Sequence, residues 1–257
     1  VPRAFLASLE KSDITDIRLG DNVQRTMTIL FSDIRSFTTL SEQMSPQENF
    51  DFINSYLGRI SPVVRDSGGF IDKYLGDGVM ALFPHAADHA VRAGLAMRVA
   101  VAGLNRERAD RGLDAIRFGV GIHTGRMMLG TVGEAKRMDG TVISDAVNLA
   151  ARLEGLTKYF GVVTIISQAT LEALQDPDAF DVRRLGAVRV KGKNDHVDLY
   201  EVFSRSFSPE DEQKHQTRDR FAEALARYQD GDFEQARRLF EEVVAASGGA
   251  EPAAALY

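Results

Sequence analysis

The sequence has 257 residues, 44% of them hydrophobic and 26% charged, so it is long enough to bury a substantial core as a soluble globular protein. Its formal net charge of −6 argues against a broad basic surface of the kind that binds nucleic acid. The absence of cysteine excludes disulfides, thiolate chemistry and cysteine zinc sites, and it fits a cytoplasmic protein.

Membrane segments are not expected within the sequence. No apolar run reaches the roughly 18 residues that a membrane-spanning helix needs. The first residue is valine rather than methionine, so an upstream sensor domain or membrane tether is compatible with the sequence.

Strand-like and helix-like patterns alternate along the first 203 residues. We predict a strand at 26–31, a helix from Ser45-Pro46 to Gly68-Gly69, a hairpin at 70–83 and a helix at 88–108. Strands at 116–122 and 127–132 around a turn at Thr124-Gly125, a helix at 145–156 and a strand at 162–166 follow. This order predicts an α/β (α+β) fold, with helices packed on a mostly antiparallel sheet.

The composition changes after about Ser204. Residues 209–220 are almost wholly polar, and helix-spaced apolar residues then lie on both sides of Gly231-Asp232. We therefore divide the chain into a domain at 1–205 and a linker with a C-terminal helix pair at 206–257. The pair is similar to one tetratricopeptide-type unit, and a single unit needs a surface to dock on, so the favoured interpretation is packing on its own domain or dimer.

Two aspartates follow strand-like runs. Asp33 lies in LFSDIRSFT and Asp77 at the tip of FIDKYLGDGVMALF, where the alternative interpretations are a helix cap and a type I′ turn. If their strands are neighbours, the two carboxylates converge, and paired oxygen ligands with open positions suit magnesium. Residues 34–38 offer consecutive backbone N–H groups at the start of a predicted helix, which favours phosphate binding there.

Three further side chains are candidates for a site, and two of them, Arg152 and Lys191, are suited to binding phosphoryl charge. Asn148 and Arg152 are four residues apart in TVISDAVNLAARLE and so share a helix face, although a solvated face is the alternative. Lys191, in a predicted hairpin with Lys193, is a candidate for triphosphate oxygens, with exposed surface as its alternative.

These segments, in this order, resemble the catalytic domain of class III nucleotidyl cyclases over residues 1–203. The matching motifs are FSDIRSFT, DKYLGDGVMALF, GIHTG, ISDAVNLAARLE and VKGK. The first 38 residues look most like the cyanobacterial type of bacterial adenylyl cyclase. The resemblance implies a ferredoxin-like cyclase homology domain and a role in signal transduction.

The resemblance also implies a role for each site residue. Asp33 and Asp77 would bind two Mg²⁺ ions per site, with Mn²⁺ as a substitute and the Ile34 carbonyl as a further ligand. Lys73 and Thr141 would select adenine, Asn148 would orient the ribose, and Arg152 would stabilise the transition state. Lys191 would hold the terminal phosphates. Ser36, Phe37 and Thr38 are predicted substrate-binding residues, because their backbone N–H groups suit phosphate oxygens. Ser144 stands where the family pattern leads us to expect glycine.

The implied reaction converts ATP to 3′,5′-cyclic AMP and pyrophosphate in sites shared across a homodimer. Asp33 and Asp77 would come from one protomer, with Lys73 and Arg152 from its partner. Alternatives are a guanylyl or dual-specificity cyclase, or a non-catalytic cyclase-like dimerisation module. Threonine at position 141 also resembles bicarbonate-responsive enzymes, so a response to bicarbonate is a further hypothesis.

Overall fold

The computed structural model describes residues 3–11, 13–134, 137–189, 196–204, 206–249 and 251–257. The strands are β1 (Asn22–Ile34), β2 (Phe70–Leu75), β3 (Gly78–Phe83), β4 (Phe118–Glu134), β5 (Arg137–Ile143), β6 (Thr164–Ser167), β7 (Asp181–Arg189) and β8 (His196–Phe203). The helices are α1 (Arg3–Ser8), α2 (Phe37–Ser41), α3 (Pro46–Asp66), α4 (Ala87–Ala109), α5 (Asp145–Phe160), α6 (Gln168–Glu172), α7 (Pro209–Gln229), α8 (Phe233–Ala246) and α9 (Pro252–Ala255).

The strands form one mixed sheet in the order β2-β3-β1-β4-β6-β8-β7, and β5 pairs with the far end of β4. Every described strand pair is antiparallel except β4 with β6. The prediction of helices on a mostly antiparallel sheet is therefore confirmed.

Side-chain alternation along β1 separates the helices into two layers. Leu30 and Ile34 pack in a core cluster with α3 and α4, whereas Met27 and Ile29 pack in another with Ala150 of α5. Successive strand residues point to opposite faces of a sheet, so α5 lies on the face opposite α3 and α4. Asp33 is four residues from Ile29 on the same strand, so its side chain lies on the α5 face as well.

The prediction of a turn at Thr124-Gly125 was wrong. β4 continues through these residues because β1 pairs with both of them, Thr28 with Thr124 and Met27 with Gly125. The strand that reverses direction beside the end of β4 is β5, which the apolar pattern did not indicate.

The polar residues 209–220 form the first half of α7. Beyond them, apolar side chains of α7, α8 and α9, including Phe221, Leu239 and Ala253, share a core cluster with Leu153 and Phe160 of α5. The C-terminal helices thus pack on the same helix that carries Asn148 and Arg152. Within the described part of the chain, no helix has the length and apolar character required to cross a membrane.

Candidate active site

The end of β1 and the tip of the β2–β3 hairpin bring Asp33 and Asp77 together. Because β1 pairs with β3, with Ser32 opposite Val79, the last residues of β1 lie beside the hairpin turn. The backbone N–H of Ile34 donates a hydrogen bond to Asp77 Oδ2 at 3.2 Å. This bond fixes the turn carboxylate against the strand that carries Asp33.

The hairpin turn differs from the type I′ turn considered as the alternative for Asp77. Leu75 pairs with Gly78, so Gly76 and Asp77 are the two central residues of the turn. Gly76 has a φ of 69°, while Asp77 is not among the described residues with positive φ. A positive φ at the first central position alone is the pattern of a type II′ turn, which requires glycine there.

Negative charge is concentrated around Asp33. Burial, followed by the neighbouring Asp77 carboxyl, raises the pKa of Asp33 to about 7. Asp33 Oδ1 is buried and has no hydrogen-bond partner within the described residues. Such an oxygen is costly to bury unless a ligand or cation satisfies it.

These donors fit magnesium. Two carboxylates and a nearby carbonyl are hard oxygen ligands, and Mg²⁺ commonly takes only one or two protein carboxylates and completes its shell with water and phosphate. Among the described residues, no group of three or more His, Cys, Asp or Glu side chains is arranged to hold a metal ion. The unpartnered Asp33 oxygen is the observation that supports a cation here.

Glu154 is a third carboxylate near this site, and it is not among the site residues predicted from the sequence. Burial raises its pKa, Arg35 opposes that shift, and Asp77 adds to it. Helix α5 approaches β4 so closely that a Cβ on Gly121 would lie 2.1 Å from the Glu154 backbone nitrogen. The glycine in β4 therefore lets α5 bring Glu154 towards the carboxylate pair, and the GVG spacing in GVGIHTG was the available signal.

Lys73 lies on the sheet face that also carries Asp33. Ile71 pairs with Ala81 but Lys73 pairs with Met80, so a β-bulge falls between them at Asp72. Phe31 also pairs with Met80, and side chains paired across strands share a face. Asp77 lies in the turn rather than on a strand, so its four-residue separation from Lys73 does not fix the face on which its side chain lies.

Helix α5 presents Asn148 and Arg152 on its exposed side, while Leu149 and Leu153 are buried in the cluster beneath it. Ser144 caps this helix, since its Oγ accepts a hydrogen bond from the Ala146 N–H at 3.0 Å. Serine in place of glycine therefore preserves a defined start for α5.

Thr141 pairs with Gly130 in the β4–β5 ladder. Ser36, Phe37 and Thr38 span the start of the five-residue helix α2, and Ser36 has a φ of 57°. The Phe37 ring stacks on Phe52 with centroids 6.1 Å apart, so its side chain serves packing and only its backbone is available for phosphate. Lys191 lies outside the described residues.

The sequence was compared with known proteins. The family model for the adenylate and guanylate cyclase catalytic domain matches residues 21–203. An adenylate cyclase of Anabaena cylindrica is 43% identical over 79% of this chain and 41% of its own length. The terminal-differentiation specific adenylate cyclase of Dictyostelium discoideum is 40% identical over 79% of this chain and 10% of its own length. The chain thus spans less than half of each of these relatives.

Solved structures agree with this assignment. The adenylyl cyclase CyaB from P. aeruginosa matches with a TM-score of 0.64 and 33% identity, covering 71% of this chain and 96% of that one. The guanylyl cyclase Cya2 matches with a TM-score of 0.62 and 34% identity, covering 70% of this chain and 93% of that one. The chain therefore belongs to the adenylate and guanylate cyclase catalytic domain family.

Proposed function

We propose that this chain is an adenylyl cyclase that converts ATP to 3′,5′-cyclic AMP and pyrophosphate in the cytoplasm, as part of a signalling pathway. The observation that carries the proposal is the convergence of Asp33 and Asp77 at the hairpin tip, while Lys73 of the same hairpin would serve the other site of the proposed dimer. The names of the relatives at 40% and 43% identity, both adenylate cyclases, support the same reaction.

We assign two Mg²⁺ ions to Asp33 and Asp77, with the Ile34 carbonyl oxygen as a further ligand and Mn²⁺ as a substitute. When bound, the ions supply Lewis acidity towards the ribose 3′ hydroxyl and positive charge towards the departing pyrophosphate. The buried, unpartnered oxygen of Asp33 supports this assignment.

The exposed face of α5 supplies the groups that act on the reacting atoms. Asn148 orients the ribose so that its 3′ oxygen attacks the α-phosphorus, and the bond from that phosphorus to the β-phosphate oxygen breaks. Arg152 stabilises the charge on the pentavalent phosphorus, because its planar donors stay protonated and match phosphoryl oxygens. Lys191 and the backbone N–H groups of residues 36–38 are assigned to the terminal phosphates.

Base selection is assigned to Lys73 and Thr141. An ammonium group donates to N1 of adenine but not to the N1–H of guanine, so Lys73 favours ATP. The experiment is an assay of the purified chain with Mg²⁺ or Mn²⁺ and either ATP or GTP, scored for cyclic product and pyrophosphate. Cyclic AMP from ATP is expected. A preference for GTP would indicate a guanylyl cyclase, and no product would indicate a dimerisation module.

We also propose a homodimer with shared sites. Large apolar side chains are exposed on the hairpin and on the β4–β5 arm: Tyr74, Leu75, Met128, Val132, Met138 and Ile143. Exposed apolar surface of this kind is typical of an interface. Mixing chains that carry Asp77→Ala with chains that carry Arg152→Ala should restore partial activity, because one site of each mixed dimer is then intact. Folded, dimeric chains that fail to complement would contradict shared sites.

Regulation by bicarbonate is a further part of the proposal, supported by threonine at position 141. Bicarbonate titrated at constant pH and ionic strength should raise the rate of cyclic AMP formation. An unchanged rate across the titration would remove this hypothesis without affecting the assignment of the reaction.

A further inference from the structure

Asp72 is a buried carboxylate to which no role has been given so far. It is the extra residue of the β2 bulge, and its side chain is only 3% exposed. Its Oδ2 has no hydrogen-bond partner within the described residues. A charged group buried without hydrogen bonds opposes folding, so it needs a compensating partner.

The partner that the structure provides is the next residue. Lys73 Nζ lies 3.3 Å from Asp72 Oδ2, and the lysine side chain is 39% exposed. Burial raises the pKa of Asp72, and the positive charge of Lys73 opposes that shift. The carboxylate is thus anchored in the protein, while the ammonium that it attracts remains within reach of a ligand.

The bulge makes this pairing possible. Adjacent residues on a regular strand point to opposite faces, so a regular β2 would separate the two side chains. With one extra residue in β2, Phe70 pairs with Leu82 and Lys73 pairs with Met80. Met80 and Leu82 are two residues apart on β3 and share a face, so Phe70 and Lys73 share that face too. That face carries Asp33 as well, since Phe31, two residues before it on β1, pairs with Met80.

We propose that Asp72 is a positioning residue that orients the Lys73 ammonium for adenine and thereby sets the preference for ATP over GTP. The inference rests on the proposed cyclase function and extends it to a residue that does not touch the nucleotide. A lysine side chain is flexible and loses rotamer entropy when it binds a base. A fixed carboxylate 3.3 Å from the ammonium reduces that loss before ATP arrives, because it holds the donor near one position.

The test is Asp72→Asn, which keeps the size of the side chain and removes its charge. We expect kcat/KM for ATP to fall about tenfold while that for GTP changes less than twofold. Asp66→Asn, at an exposed position at the end of α3, is the matched control and should change neither value. Equal losses for both nucleotides in Asp72→Asn would show a merely structural role and overturn the proposal.

A double-mutant cycle identifies Lys73 as the group through which Asp72 acts. In a Lys73→Met background, Asp72→Asn should have no further effect on ATP use, because the ammonium that it orients is gone. An undiminished effect in that background would contradict the proposal. If the single Asp72→Asn variant does not fold, a loss of ATP use in the double variant relative to Lys73→Met alone would still contradict the proposal.

Equilibrium binding of ATP and GTP without turnover gives the same comparison independently of catalysis. Asp72→Asn should weaken ATP binding about tenfold and GTP binding less than twofold, again unless Lys73 is absent. A wild-type chain that binds ATP but forms no cyclic product would contradict the proposed function. The relative loss of affinity for ATP and for GTP in Asp72→Asn would still support or overturn the role of Asp72.

Discussion

Two clusters of charged side chains in this molecule are built in opposite ways. At the hairpin, Asp33 and Asp77 approach each other, and burial together with Asp77 raises the pKa of Asp33 to about 7. Beneath the C-terminal helices, Arg183 binds both Glu201 and Glu251, and all three side chains are at most 2% exposed. Within the described residues, no basic side chain forms an ion pair with Asp33 or Asp77, whereas the second cluster contains its own cation, Arg183.

The second cluster shows how the C-terminal helices are attached. Glu201 of β8 accepts hydrogen bonds from Arg183 of β7 at 2.7 Å and from Lys214 of α7 at 2.6 Å. Burial opposes ionisation of Glu201, yet Arg183 and Lys214 lower its pKa. Glu251, just before α9, joins the same arginine. The cluster around Arg183, in which opposite charges are paired, thus holds segments of the chain together. The Asp33–Asp77 pair, in which like charges meet, is instead suited to binding a cationic ligand.

The strongest test of this contrast is Asp77→Asn. We expect at least about a thousandfold loss of cyclase activity, because a charged group that acts on the reacting phosphate is removed. The free energy of unfolding without metal should stay equal or increase, since the variant removes repulsion between like charges. Activity assays and urea unfolding in EDTA measure the two effects, with Asp66→Asn as an exposed control. A large decrease in the free energy of unfolding would show that Asp33 and Asp77 stabilise the fold instead.

The opposite outcome is expected for Glu251→Gln. Removing this carboxylate leaves Arg183 buried with less compensation, and breaking a buried ion pair typically lowers the free energy of unfolding by about 3–5 kcal/mol. Glu242→Gln is the control, because Glu242 pairs with Arg220 on the surface, where both side chains are 49% exposed. The control should cost at most about 1 kcal/mol in urea unfolding. Similar small losses in both variants would contradict a docking role for the buried cluster.

Local sequence was sufficient to predict much of the hairpin cluster but little of the C-terminal one. Asp33 and Asp77 each follow an apolar strand pattern, and pairing of the two strands was enough to make their side chains converge. Asp211 and Lys214 lie in a stretch that looks wholly polar, yet α7 buries Asp211 against Arg98 of α4 at 2.7 Å. Partners so distant in sequence leave no periodic pattern.

The bulge at Asp72 was also beyond the sequence pattern. Strand register depends on which side chains pack across β2 and β3, and a single inserted residue leaves the local apolar pattern of FIDKYL readable as a regular strand. Likewise, Thr124-Gly125 has the composition of a turn, but pairing with β1 keeps it extended. In both places tertiary pairing overrides local preference.

The two clusters should also respond to pH in opposite directions. The pKa of Asp33 in the folded protein, about 7, lies above its ordinary value of 3.8. The metal-free folded state therefore holds a proton that the unfolded chain releases, and stability falls as pH rises from about 4 to 7. The pKa of Glu201 is lowered, so its contribution is present above its ordinary value of 4.5 and is lost at lower pH.

Urea unfolding in EDTA between pH 4 and 8 measures the first of these effects. Asp33→Asn should gain stability relative to the wild type as pH rises through this window, and the difference should shrink towards pH 4. A constant difference across the range would show that Asp33 titrates normally and would remove the electrostatic contrast between the clusters.

The smallest expected effect is that of Glu154→Gln. Repulsion from Glu154 adds to burial and Asp77 in raising the pKa of Asp33, so neutralising Glu154 should move the pH dependence of metal-free stability towards lower pH. Protons would then compete less strongly with Mg²⁺ for Asp33, and the Mg²⁺ concentration for half-maximal activity at pH 6.5 should decrease. Glu172→Gln, on the surface in α6, should leave both quantities unchanged. If Glu154→Gln instead raises the Mg²⁺ requirement, Glu154 contributes to holding the cation, and the cluster around Asp33 comprises three carboxylates that act together.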